Sequence, residues 1–193
     1  MKFQVDPNIQ ITHIGPEHAN VLYELTNKNR AYLKQWLGWI DLVQTYEDTE
    51  TFIETAIDQH NNNQASTFVI FYEQTLVGVA GFNQLDHVNR WGTIGYWLCE
   101  SFTGKGIVTK VVNQLLDYGF EEHNLHKIEI RCATQNLKSK AVIERLGLTY
   151  EAELRECEWL YDKFVDHCVY SILSEEFKSS LIKTETLSSK QDS

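Results

Sequence analysis

The stretch Gly95-Tyr96-Trp97-Leu98-Cys99-Glu100-Ser101-Phe102-Thr103-Gly104-Lys105-Gly106-Ile107 constrains the fold more than any other. Residues 93–98 read as a strand, two glycines set a turn, and a helical pattern begins at Gly106, so a strand ends where a helix starts. Glycines let backbone N–H groups turn inward without a Cβ in the way. The helix adds its unpaired first-turn donors and the positive end of its dipole. The stretch is therefore either an anion cradle or simply a tight strand-to-helix turn. A P-loop, G-x-x-x-x-G-K-S/T, would need glycine at Cys99 and a hydroxyl at Gly106, and a G-x-G-x-x-G dinucleotide fingerprint would need glycine at Thr109.

The rest of the chain predicts a mixed α/β (α+β) domain over residues 1–182, followed by a polar tail, 183–193, expected to lack order. A strand at 9–12 leads through Gly15-Pro16 into a helix to about residue 28. A second helix then runs from 31 to Gly38, and a third is capped by Asp48-Thr49-Glu50, with Phe52, Ile53, Ala56 and Ile57 on one face. Residues 67–72 and 76–85 form a hairpin around Glu73-Gln74, and 93–98 is the next strand. The helix 106–120 carries Ile107, Val111, Leu115 and Leu116 on one stripe, and 128–132 alternates as a strand. Asn136 is the N-cap of a helix that Gly147 ends, and strands at about 149–159 and 164–173 precede a short helix from Ser174.

Charge narrows the partners. The net formal charge of −10 disfavours a nucleic acid backbone and suits a cation. It is unevenly spread: residues 101–145 carry seven Lys/Arg against five Asp/Glu, whereas 150–176 carry eight Asp/Glu against Arg155 and Lys163. No apolar run is long enough for a membrane span, and the opening Met1-Lys2-Phe3-Gln4-Val5-Asp6-Pro7 has no secretory pattern, so a cytoplasmic protein is expected. The four cysteines, Cys99, Cys132, Cys157 and Cys168, lie in apolar or strand-like runs without a C-x-x-C pair and are expected to be reduced, with no metal. His123 and His126 fall near a helix end, where a cation suits the dipole.

Ser101-Phe102-Thr103-Gly104-Lys105-Gly106 resembles the pyrophosphate-binding motif Q/R-x-x-G-x-G/A of the GNAT acetyltransferase superfamily, with Ser101 where Gln or Arg is usual. The resemblance extends to its RimJ/RimL branch through Tyr32-Leu33-Lys34-Gln35-Trp36-Leu37-Gly38-Trp39, Gly95-Tyr96-Trp97-Leu98, Asn136-Leu137-Lys138-Ser139 and Arg145-Leu146-Gly147-Leu148. In the closing run, Ala152 replaces a usual glycine. It implies a GNAT fold, a mostly antiparallel mixed sheet of about seven strands with a splayed central pair, flanked by helices. It also implies acetyl-CoA as donor, with Trp97, Leu98, Thr103, Gly104, Lys105, Gly106, Ile107, Asn136, Lys138 and Lys140 binding it. The implied acceptor is an amine, foremost the α-amino group of a protein such as a ribosomal protein, with small polyamines or aminoglycosides as the alternative. A CoA-binding protein without activity is the reading from another class. Members of the branch are monomers or homodimers.

Acyl transfer to an amine needs a neutral amine, a home for the developing oxyanion and a proton for the departing thiolate. By the resemblance, Ser139 is the acid and Glu158 the base working through a water. Each has an ordinary alternative: Ser139 as a helix-end residue, Glu158 as one more solvated carboxylate, though Trp159 and Tyr161 argue for its partial burial. Asn136 either binds pantetheine or spends its side chain as the cap. Lys138 and Lys140, in a first helical turn, either answer a phosphate or are merely solvated. Trp36 and Trp39 either wall the acceptor pocket or belong to the core. An α-amino group with a pKa of about 7.7–8.0 is roughly a tenth neutral at pH 7, against under about one in 1,000 for lysine, which makes an N-terminal amine the easier acceptor.

Overall fold

Short-range chemistry sets most of the element boundaries in the computed structural model, which describes residues 1–179. Asp6 shows how: its Oδ1 accepts the N–H groups of Asn8 and Ile9, each at 2.8 Å, closing a turn between β1 (Lys2–Gln4) and β2 (Ile9–His13). Phe3 of β1 packs edge-on against Tyr118 at 5.3 Å. This first strand, too short to show a period, makes the sheet eight-stranded instead of the expected seven or so.

The expected second helix does not exist separately. One helix, α1 (Ala19–Leu33), spans the supposed break at 28–31 and stops five residues before Gly38. Its Arg30 guanidinium explains the stop, donating to the carbonyls of Ile40 and Val43 at 2.6 Å each and drawing the following chain back on itself. In α2 (Tyr46–Asn61) the cap is Thr45, not Asp48. Thr45 accepts the Asp48 N–H, and the Asp48 carboxylate receives the Thr45 N–H at 2.8 Å, a capping box. Ile53 and Ala56 are buried as expected, but Phe52 is 43% exposed because the helix turns it outward.

The hairpin β3 (Ser66–Tyr72) and β4 (Thr75–Asp86) turns at Glu73 and Gln74, both with positive φ. It is followed by β5 (Trp91–Leu98), α3 (Ile107–Glu121), β6 (Lys127–Ala133), α4 (Leu137–Arg145), β7 (Thr149–Leu160) and β8 (Lys163–Leu173), and helical residues resume at Ser174. The strand order is β1-β2-β3-β4-β5-β6-β8-β7. Ile107, Val111, Leu115 and Leu116 of α3 are at most 1% exposed and join Phe82, Ile94, Ile128 and Ile130 on one face of the sheet. Leu22, Ile53 and Ala56 of α1 and α2 cover Val69 and Val79 on the other. The tail 183–193 lies outside the described residues.

The parallel pair β5–β6 positions the site. Its ladder runs from Trp91 opposite Lys127 to Ile94 opposite Ile130 and goes no further. Beyond it, β5 stays with β4 as far as Leu98, and β6 stays with β8 as far as Ala133. Two central strands therefore diverge and open a wedge in the middle of the sheet.

Cys99, Cys132 and Cys168 are buried free thiols, whereas Cys157 is exposed, contrary to expectation, because β7 is an edge strand. His123 is not a helix-end cation. Its ring packs on Tyr118 at 4.7 Å and near Phe82 at 6.0 Å, and burial holds its pKa below the usual value. His13 lies deeper in the same region, 3.8 Å from the His60 ring and 4.3 Å from Phe68. Burial, then the neighbouring His60, push it down to about 4. A histidine depressed in the folded state adds stability above its unfolded pKa of about 6.5, and that stability is lost as pH falls toward 4. The full displacement would be worth about 3 kcal/mol, and residual solvent contact reduces it to about 1–2 kcal/mol. Urea denaturation at pH 7 and about pH 4.5 should therefore show wild type losing about 1–2 kcal/mol more than His13→Gln; equal losses would contradict this.

Candidate active site

The cradle is built as the glycine spacing requires. After β5 the chain makes a single helical turn at Glu100–Phe102 and passes through Gly104, φ 78°, and Gly106, φ 73°, into α3. Both glycines are left-handed, a conformation that side chains resist. No side chain caps α3 and no acidic residue stands in its first turn, so the N–H groups of Ile107, Val108 and Thr109 point out of the helix end. A Cβ at Gly104 or Gly106 would meet no protein atom within 4 Å, so the space before these donors is open. Lys105 holds its ammonium 4.7 Å from the Phe102 ring and 5.2 Å from that of Tyr72, at the rim. Ser101, in the place of the usual Gln or Arg, makes a side-chain hydrogen bond with the Cys99 sulfur, at 3.8 Å.

From the cradle a cleft of about 760 Å³ runs into the wedge between β5 and β6. Its wall includes Trp97, Leu98, Thr103, Gly104, Gly106, Ile107, Asn136, Lys138, Ser139 and Trp36 from the sequence candidates. Lys105, Lys140, Trp39 and Glu158 are not on that wall. Lys140, on another side of α4, lies in the electrostatic field of Cys168 and Tyr170 of β8. Tyr32, Tyr96 and Arg145 are on the wall without having been singled out, although each stood in a motif that carried the resemblance. Arg145 donates to Thr109 Oγ1 at 3.0 Å, tying the end of α4 to the first turn of α3. Lys138 lies 5.0 Å from the Tyr32 ring centre.

At the inner end, two polar groups meet across the wedge. Tyr96 Oη lies 2.8 Å from Ser139 Oγ, and burial pushes the Tyr96 phenol up to about 12 despite the opposing pull of that bond. Cys132 beside it is pushed up to about 11, again by burial, so it stays a thiol at neutral pH. Asn136 divides its side chain. Its Oδ1 accepts the Ser139 N–H at 3.2 Å as the helix cap, and its amide N–H groups have no partner among the described residues. The cap thus uses only the Oδ1 of Asn136 and leaves its amide N–H groups open to the cleft.

Glu158 stands beside the turn that follows α1. Its Oε1 would lie 3.7 Å from a Cβ on Gly38, in the turn whose neighbours Trp36 and Leu37 line the cleft. Tyr161 Oη donates to the Leu37 carbonyl at 2.7 Å and clamps the β7–β8 hairpin to that turn. Trp39 is 37% exposed and approaches Trp97 at 6.4 Å, at the edge of the cleft. The burial of Glu158 does not come from Trp159, which is 55% exposed and packs on Phe164. Its partner is His167, whose Nε2 is 2.7 Å from Glu158 Oε2. Nothing in the sequence spacing pointed to that histidine.

The geometry suits an elongated ligand with an anionic group at the cradle and a chain threaded into the wedge, a volume usual for small-molecule clefts. Among the described residues no group of three or more His, Cys, Asp or Glu could hold a metal ion, and no helix is long and apolar enough to cross a membrane.

Comparison with known proteins agrees with this geometry. The acetyltransferase (GNAT) domain model matches residues 8–149. The ribosomal-protein-serine acetyltransferase of Escherichia coli (strain K12) is 32% identical over 168 residues, covering 87% of this chain and 94% of that one. Among solved structures, RimL, a ribosomal L7/L12 alpha-N-protein acetyltransferase in complex with coenzyme A, aligns with a TM-score of 0.87 at 28% identity, covering 90% of this chain and 98% of that one. The microcin C7 self-immunity acetyltransferase MccE, in complex with acetyl-CoA and AMP, aligns with a TM-score of 0.83 at 32% identity, covering 88% and 94%.

Proposed function

Since this chain belongs to the GNAT acetyltransferase family and is an acetyl-CoA-dependent N-acetyltransferase, we propose that its acceptor is the α-amino group at the N-terminus of a protein, a ribosomal protein foremost. The observation that carries this reading is the place of Glu158: one carboxylate oxygen against the Trp36–Trp39 turn, part of which lines the cleft, on a strand pair rich in acid. Such a rim attracts a cationic amine. A single water-relayed carboxylate suffices for an amine of pKa about 7.7–8.0 and is a weak match for lysine near 10.4.

Gly104, Gly106 and the first N–H groups of α3 would hold the pyrophosphate, with Lys105 at the rim and Arg145 behind it. Trp97, Leu98 and the free amide of Asn136 would hold the pantetheine, and Lys138 would face a phosphate. Bound acetyl-CoA supplies an activated acyl carbon and a thiol leaving group. Glu158 takes one proton from the acceptor's ammonium through a water and releases it to solvent. Once the C–N bond forms, the nitrogen gives up a second proton, which is the one the sulfur leaves with. In the Tyr96–Ser139 pair one hydroxyl donates to the other, as Tyr96 Oη can donate to Ser139 Oγ, which leaves the Ser139 O–H as the hydrogen-bond donor to the departing sulfur. Net proton loss from a group near pKa 12 to a thiolate whose acid is near 8.5 would be uphill by about 5 kcal/mol.

The test is thiol release from acetyl-CoA at about pH 7 with N-terminal peptides, internal-lysine peptides and polyamines at matched concentration. N-terminal peptides are expected to exceed the lysine peptides at least ~10-fold in kcat/KM, following the neutral fractions. Faster turnover of spermidine than of every peptide would replace this acceptor by a small polyamine.

A further inference from the structure

We infer that His167 is the positioning residue for Glu158, holding one carboxylate oxygen so that the other faces the acceptor. This rests on the reading of Glu158 as the base. The two oxygens are already sorted: Oε2 is 2.7 Å from His167 Nε2, and Oε1 is the one turned to the Gly38 turn. Neither side chain has a second hydrogen-bond partner among the described residues. The other acids of the 150–176 stretch are engaged differently or exposed. Glu151 is bound by Lys127 at 2.8 Å and by the Ser171 hydroxyl, and Asp166 accepts a backbone N–H. Glu158 alone among them faces a histidine.

The pairing depends on an irregularity in the ladder. Leu154 pairs with His167 and Glu158 with Val165, so four steps along β7 answer two along β8. In a regular ladder Glu156 would stand opposite Val165; the two extra residues put Glu158 there instead. Glu156 takes a left-handed φ of 49°, and its N–H donates to Asp166 Oδ1 at 2.7 Å, which fixes the bulge. Because Val165 and His167 share a face of β8, Glu158 and His167 meet on that face.

The pair is open enough for a water relay, with side chains 34% and 19% exposed for Glu158 and His167. Around it, Tyr161 from the hairpin turn feels Glu158, and Asp41, Lys34 and Arg30 surround Tyr161. On β6, Ala133 stands opposite His167, and Arg131, next on that face, is held by Glu129 at 3.0 Å. Among the described residues no other charged side chain is within ion-pair distance of the imidazole.

The donated N–H fixes the direction of the carboxylate. In turnover the acceptor's N–H bond breaks and an O–H bond forms on Oε1, while the imidazole keeps its own proton.

The test compares wild type with His167→Gln, His167→Phe and Glu158→Gln, with acetyl-CoA titration confirming that each variant folds and binds. His167→Phe is expected to lower kcat at least ~10-fold with the KM for acetyl-CoA unchanged. His167→Gln, which keeps an N–H donor for the carboxylate, should stay within ~3-fold of the wild-type kcat. If Glu158→Gln is inactive while His167→Phe keeps wild-type kcat and loses only thermal stability, or His167→Gln is as slow as His167→Phe, the inference is overturned and the base stands. If Glu158→Gln itself stays active, the reading of the base fails first.

Discussion

Glu158→Gln is expected to lower kcat/KM for amine acetylation by about 10²–10⁴-fold while acetyl-CoA binding stays within ~2-fold. Glutamine matches glutamate in size and still accepts the His167 N–H at the position held by Oε2, so the hairpin keeps its fastening. It cannot take a proton from an ammonium. The loss should appear in kcat more than in the KM for the donor, because Glu158 is not on the wall of the cleft that the donor would occupy. Raising the pH toward the pKa of the acceptor should recover part of the rate, since the amine then arrives already neutral. Calorimetric titration with acetyl-CoA and a thiol-release assay from pH 6 to 9 check both halves. A variant with full activity at pH 7 would remove Glu158 from the chemistry.

The second large effect is at the cradle. Gly106→Val should weaken acetyl-CoA binding by about 10–100-fold. Position 106 has φ 73°, where a β-branched residue is a genuine outlier, and forcing it there costs about 1–3 kcal/mol. At 1.4 kcal/mol per decade, that strain corresponds to the stated range if the loop relieves it by turning its N–H groups away from the ligand. A Cβ at this position meets no protein atom within 4 Å, so crowding inside the protein is not the cause. Gly106→Asn separates the two explanations, because asparagine tolerates left-handed backbone and should bind within a few-fold of wild type. Calorimetry on both variants, with thermal unfolding to confirm folding, decides; equal affinity in Gly106→Val and wild type would contradict a backbone cradle.

Sequence reasoning succeeded where a feature depends on neighbours along the chain. The glycines at 104 and 106, the Asn136 cap, the left-handed Gly147 and the α3 stripe all lie within a few residues of what they act on. It failed where a distant residue intervened. The break expected near residue 31 vanished, and the end of α1 fell where Arg30 reaches carbonyls 10 and 13 residues away. Phe52 lies outside the core because α2 packs through Ile53 and Ala56, a choice of face made by the neighbouring α1 and sheet.

The sequence by itself thus determined the order of elements from β3 to β8, the positions of the turn glycines and the family, because turns, caps and periodicity are written in adjacent residues. The tertiary structure alone decided which groups meet. Tyr96 and Ser139 are 43 positions apart and Tyr161 and Leu37 are 124 apart, and each pair joins only after strands have registered. Glu158 and His167 are close in sequence, yet a strand pattern of period two cannot reveal the two extra residues that bring them onto one face. A bulge is settled by the hydrogen bonds of the folded ladder, here the Asp166 carboxylate on the Glu156 N–H, so the partner of Glu158 became legible only once the ladder was formed.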